Sequence, residues 1–271
     1  MVSVPDVYVN IADADAAVVQ PLIEILELRA ADPAQRAMRD TYLDDLDLPA
    51  DARVVEVGCG PGPVARALAA RASAGGVIGI DPSPIFIEAA RERAASLSNV
   101  SFTLGDARDL PLADATCDAV VFHTTLCHVP GPERALAEAR RVLRPGGRLA
   151  VFDGDYSTVT CANSAADPIQ TCLDAAVNEL VHDRWLVRRL STLVVAAGFE
   201  PPRLRGHSYV EAPTSGGYML RLVARGADAL SASGRLSPTA ASALTTEAQR
   251  RSDAGEFYGH INYVSAIADK P

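Results

Sequence analysis

Arg53-Val-Val-Glu-Val-Gly-Cys-Gly-Pro-Gly-Pro63 decides the fold. Val54 to Val57, interrupted only by Glu56, reads as a buried parallel strand. It stops at Gly58, and glycines follow at alternate positions, Gly58, Gly60 and Gly62. Pro63, a residue suited to the first position of a helix, opens the amphipathic run Val64–Arg71. A strand, a glycine-rich turn and a helix N-terminus let a ligand approach bare backbone.

A lone glycine pattern is a weak signal, so the following segments carry the argument. Val77–Ile80 reads as a second strand ending at Asp81, about twenty residues past the turn, where an acid can hold a ribose diol. Val100–Leu104 ends in Gly105-Asp106-Ala107, and Asp118–Phe122 is followed by polar residues and then a helix. Strands at 53–57, 77–81, 100–104, 118–122 and 148–153 alternate with helices at 63–72, 83–97 and 131–143. That alternation predicts an α/β fold with a doubly wound, mostly parallel sheet. Ligands of such sheets sit beyond the carboxyl ends of the strands.

Four motifs occur in order: Glu56-Val-Gly-Cys-Gly-Pro-Gly62, Ile80-Asp-Pro-Ser83, Gly105-Asp-Ala-Arg-Asp-Leu-Pro111 and Leu143-Arg-Pro-Gly-Gly-Arg-Leu149. In this order and spacing the chain resembles the class I S-adenosylmethionine-dependent methyltransferases, nearest to the ubiquinone/menaquinone-methyltransferase-like group with small-molecule acceptors. The likeness covers residues 36–155. A dinucleotide dehydrogenase would place its third glycine where Pro63 stands.

The resemblance implies a seven-stranded Rossmann-like sheet, with strand seven antiparallel beside strand five, and S-adenosyl-L-methionine as cofactor. It implies that Glu56 holds the methionine ammonium and that Gly58, Cys59 and Gly60 lie against the methionine portion. Asp81 would accept both ribose hydroxyls, and Pro82 would shape the adenosine wall. Asp106 and the Ala107 backbone would meet the adenine, and His123 would stand near the sulfonium. Methyl transfer needs mainly alignment of nucleophile, methyl and sulfur, because the leaving group is neutral. Where a general base is used, His123 and then His128 are the candidates; for each, a structural role is the competing reading.

The resemblance implies a helical lid over residues 1–48. Pro21–Leu28 has helical spacing, and Asp32-Pro33 reads as an N-cap and first helical residue of a helix to Leu46. Tyr8, Arg29, Arg36, Arg39 and Tyr42 on this lid, and Asp155 and Tyr156 past strand five, are the candidate substrate residues, each weighed against a packing or surface role. Residues 49–212 and 256–271 form the expected core. Between strand six (203–211) and strand seven (257–268) lie residues 213–255, too long for a hairpin, with helices over Tyr218–Leu230 and Pro238–Arg251. They are expected to cover the substrate side.

The 271-residue chain carries a net charge of −9 and one lysine, Lys270, with its arginines scattered. That argues against nucleic acid and anionic membranes as partners. Five cysteines form no C-x-x-C pair and match no metal-ligand spacing, and the acidic start shows no signal peptide. A cytoplasmic enzyme without a metal, acting on a small organic acceptor of secondary metabolism, is the expectation. Two alternatives stay open: a non-methylating reaction on the same cofactor (cyclisation or decarboxylation), and a non-catalytic cofactor-binding subunit.

Overall fold

A computed structural model describes residues 6–211 and 217–271. The expected boundary between core and insertion, at 212 and 213, lies outside the described residues, as do residues 1–5 of the expected lid. Seven strands form one sheet: β1 (Arg53–Val57), β2 (Gly76–Asp81), β3 (Val100–Leu104), β4 (Cys117–His123), β5 (Leu143–Thr160), β6 (Arg203–Glu211) and β7 (Gly259–Asp269). Their order is β3-β2-β1-β4-β5-β7-β6. The first five strands run parallel, and β7 is antiparallel to both β5 and β6. This is a Rossmann-like, mostly parallel sheet, and its strand order reverses between β1 and β4, which pair through Val54–Val57 and Ala119–Phe122.

The helices flank it: α1 (Ala16–Ala31), α2 (Pro33–Asp45), α3 (Pro63–Arg71), α4 (Pro84–Arg93), α5 (Pro132–Val142), α6 (Ile169–Leu180), α7 (Leu186–Ala196), α8 (Tyr218–Ala232) and α9 (Pro238–Asp253). Parallel strands covered on both faces must be apolar throughout, and Val120, Val121, Phe122, Leu149, Ala150 and Val151 are all sealed from solvent. Full burial of Phe122 or Phe152 contributes about 1.5–3 kcal/mol each.

Asp32 caps α2 as its position predicts, accepting from the Ala34 and Gln35 backbone N–H groups at 2.8 and 3.0 Å. α1, α4 and β5 depart from their expected bounds. α1 begins at Ala16, five residues early, because Asp15 caps it through Val18 N–H (3.1 Å), with Pro21 tolerated inside. α4 ends at Arg93 rather than 97. β5 is three times its expected length, since Leu143 already pairs with Cys117 and the far end pairs with β7 out to Thr160–His260.

The insertion packs as two helices, α8 and α9. Glu211, at the end of β6, accepts from Met219 and Leu220 N–H groups (2.6 and 3.3 Å) and so caps α8. Gly226 lets α8 lie directly on α6, where a methyl group would overlap the Cys172 carbonyl. α1 and α8 meet above the carboxyl ends of the parallel strands.

Candidate active site

The turn after β1 forms the floor of the principal cavity. Gly58, Gly60 and Gly62 adopt φ of +71°, +52° and +83°, a region that favours glycine. Gly58 N–H and Cys59 N–H donate to the Ile80 carbonyl (2.7 and 3.0 Å), which ties this turn to the tip of β2. A side chain at Gly58 would overlap that of Thr125. Gly60 N–H donates to Asp81 Oδ2 (2.8 Å), while Asp81 Oδ1 accepts from Ser83 N–H (2.9 Å). Each carboxylate oxygen keeps a second acceptor site, so Asp81 can hold both the turn and a diol.

Three acids line the cavity: Glu56, Asp81 and Asp106, at the ends of β1, β2 and β3. Glu56 is 2% exposed, and its Oε2 has no partner among the described residues. Burial drives its pKa well above the ordinary value; the Ala65 backbone N–H opposes this and the Asp81 charge adds to it. Burial also pushes Asp81 up to about 6, against its bonds from Ser83 and Gly60. Asp106 is different: it is 44% exposed and gripped by Arg108, whose Nη2 lies 2.6 Å from Oδ2. The Arg108 hydrogen bond holds its carboxyl below the usual range.

Pro82, Cys59 and Ala107 also line the cavity. Cys59 is an inert wall residue: burial raises its thiol well above the ordinary value.

His123 closes the tip of β4. Its Nδ1 meets the Tyr42 hydroxyl at 2.9 Å, and its ring stacks on Phe152 at 4.8 Å between centroids. Burial, helped by Arg29 and Arg39, depresses its pKa well below the ordinary value, so it is neutral near pH 7. His128 lines the cavity through the short turn Leu126–His128. Its Nδ1 lies 2.7 Å from Oδ2 of Asp6, whose side chain is 2% exposed. Asp6 also accepts from Tyr8 N–H and His182 N–H, both at 2.8 Å. A carboxylate at Nδ1 holds the proton there in the neutral ring and leaves Nε2 as the acceptor. Nε2 has no hydrogen-bond partner among the described residues.

Of the candidate substrate residues, Tyr8 and Tyr156 line the cavity, and Tyr8 packs on the His128 ring at 4.5 Å. Tyr42 and Asp155 do not line the cavity. Tyr42 is fully buried beneath His123 and does not reach the cavity; α2 turns it into the core, where it stacks on Phe152 at 5.0 Å. Asp155 also lies off the cavity, because the extended β5 carries it past the tip, where it pairs with Arg188 (3.1 Å) and accepts from Ser157. Arg29, Arg36 and Arg39 all reach the cavity wall. Sequence reasoning missed Asp6, Thr124, Thr125, Tyr218 and Arg225. Only the placement of Tyr218 and Arg225 on a covering helix could have signalled them.

Residues 55–151 match a family model described as a methyltransferase domain. The chain is similar to methyltransferase GfsG of Streptomyces halstedii, 39% identical over 123 residues that make up 44% of each chain. It is 34% identical over 125 residues to the demethylmenaquinone methyltransferase of Staphylococcus aureus, covering 46% of this chain and 52% of that one. The chain thus spans about half the length of the curated relatives it matches. A methyltransferase candidate from Bacillus halodurans superposes with a TM-score of 0.62 over 86% of this chain and 98% of its own, at 21% identity, a likeness of fold.

Proposed function

We propose, from the match of residues 55–151 to the methyltransferase domain model, that this protein binds S-adenosylmethionine across the tips of β1 to β4 and methylates a small organic acceptor. The buried Glu56 oxygen without a partner, beside a turn of positive-φ glycines, carries the reading. The site passes a test of fit: a cationic ammonium answers an orphaned carboxylate, and the bare backbone of Gly58 and Gly60 lines the cavity beside it. When bound, S-adenosylmethionine supplies an electrophilic methyl on a positively charged sulfur.

The chain's own residues do the rest. Glu56 holds the ammonium, and Gly58, Cys59 and Gly60 lie along the methionine portion. Asp81 takes the ribose hydroxyls, with Pro82, Asp106 and Ala107 around the adenine. His123, neutral and pinned by Tyr42, shapes the wall beside the sulfur. His128 Nε2 accepts the proton of an acceptor hydroxyl, and Asp6 steadies the imidazolium that forms. Tyr8 and Tyr156 contact the acceptor. Residues 6–48 act as the lid and the insertion as its second wall. All five cysteines are free, buried thiols, which suits a cytoplasmic setting. No helix among the described residues is long and apolar enough to cross a membrane.

Equilibrium titration with S-adenosylmethionine tests the reading, and no binding at millimolar cofactor sinks it. Formation of S-adenosylhomocysteine in step with product separates methyl transfer from a non-methylating reaction.

A further inference from the structure

The cavity is divided by charge. Its acids, Glu56, Asp81 and Asp106, all stand at the tips of β1, β2 and β3. The opposite wall, built by α1, α6 and α8, presents Arg29 and Arg225 and no acid among the described residues. Arg29 is half-buried, and among the described residues its side chain makes one hydrogen bond, from Nη2 to Thr124 Oγ1 (2.6 Å), and no ion pair. It lies 6.0 Å from the ring centre of Tyr218 on α8. Arg225, two turns further along α8, pairs with Glu179 of α6 at 3.4 Å, and its Nε is buried with no partner among the described residues. The other cavity arginines with close partners, Arg39 and Arg108, are engaged by Asp40 and Asp106. Around Arg29 and Arg225 the wall is Tyr8, Tyr156 and Leu222.

A guanidinium never gives up its charge in a protein, and removing it from water is unfavourable unless an anion faces it. Its planar fork matches a carboxylate in two parallel bonds. Around Arg29 the tyrosines offer ring faces and hydroxyls but no counter-charge. We propose that the acceptor is an amphipathic organic acid whose carboxylate docks on Arg29, with Arg225 completing the electropositive wall and its apolar body against the tyrosines and Leu222. The carboxylate serves as a handle, since lone pairs engaged by a guanidinium are poor nucleophiles. This rests on the methyltransferase reading above, which makes that wall the acceptor's side.

The protein saturated with S-adenosylhomocysteine is titrated calorimetrically with 4-phenylbutyrate and with its neutral amide, 4-phenylbutyramide. In the wild type the acid is expected to bind about tenfold or more tightly than the amide, the difference a charged hydrogen-bond pair supports. In Arg29→Gln the two are expected to bind alike, with S-adenosylhomocysteine affinity changed by less than about twofold. Equal binding of acid and amide by the wild type, or no saturable binding of the acid, overturns the proposal. So does a loss of about tenfold in S-adenosylhomocysteine affinity in Arg29→Gln with the acid preference kept, because Arg29 then serves the cofactor. If Arg29→Gln does not fold, Arg225→Gln carries the test: a fall of about threefold in acid preference is expected, and an unchanged preference overturns the proposal. Absence of S-adenosylhomocysteine binding by the wild type overturns the reading beneath it as well, and so is told apart from these outcomes.

Discussion

Asp81 Oδ2 accepts the Gly60 backbone N–H at 2.8 Å, so one carboxylate at the end of β2 both shapes the glycine turn after β1 and faces the cavity. Asp81→Ala therefore removes a ligand contact and the turn's support together. It is expected to weaken S-adenosylmethionine binding by about 2–3 kcal/mol, as for hydrogen bonds to a charged group. Asp106→Ala is expected to lose less, about 1 kcal/mol, because that carboxylate is 44% exposed and already held by Arg108. Equilibrium titration of both variants decides it, and unchanged affinity in both puts the cofactor elsewhere.

The same aspartate makes binding pH-dependent. Its pKa is raised from 3.8 to about 6 by burial. With no ligand, a raised carboxyl pKa favours the folded state most below about 3.8, and this contribution is lost as pH rises through about 6. Ligand binding runs the other way, because a diol needs the ionised form with its full set of acceptors. In Glu56→Gln, which removes the other titrating acid of the site, cofactor affinity should be level above about pH 6 and fall by up to about tenfold per unit below it, measured by titration across that range. A flat profile from pH 5 to 7 would contradict an ionised Asp81 on the ribose.

Glu56 predicts a proton count. Burial raises its pKa well above the ordinary value, and an ammonium placed beside it favours the charged form. Cofactor binding should thus release protons to solvent from the site. Calorimetry in buffers of different ionisation enthalpy measures this, and Glu56→Gln should abolish the release while weakening binding.

Gly58 and Thr125 form a steric pair. A methyl at Gly58 overlaps the Thr125 side chain, and the backbone there has φ +71°. Gly58→Ala should destabilise by about 3 kcal/mol, combining overpacking with left-handed strain. Adding Thr125→Ala removes the overlap and leaves the strain, so about half should return in the double variant. Denaturant melts of the two single variants and the double variant close that cycle.

Asp6 and His128 act as a unit if His128 is the base. His128→Asn should lower kcat by about 10²–10⁴-fold with cofactor affinity unchanged. Asp6→Asn should lower it by about tenfold, the imidazolium losing its counter-charge. An acceptor methylated equally well by His128→Asn removes the base.

What could be read from the chain depended on how local the cause was. β1, β3 and the cap at Asp32 follow from neighbouring residues, and they appear where the sequence puts them. Gly58, Gly60 and the acids Glu56, Asp81 and Asp106 belong to motifs a few residues long, and they line one cavity. The length of β5 comes from pairing with a strand more than a hundred residues away, and that pairing moved Asp155 off the cavity. Tyr42 had the right residue type on the right helix, but which face of α2 turns inward is set by Phe152 and His123. Asp6 carries no local pattern at all: its role exists only because the chain returns to place His128 and His182 beside it.

Arg29 sits on α1 and its ring neighbour Tyr218 on α8, two segments 189 positions apart that share no strand. On the proposed docking of the acceptor, its selectivity is divided between an early piece of chain and a late one, while the sheet beneath stays common to both. A chimaera that borrowed its front segment from one parent and its late helices from another would join two half-sites never matched to each other. Altered acceptor choice should then come from exchanging the two segments as a set.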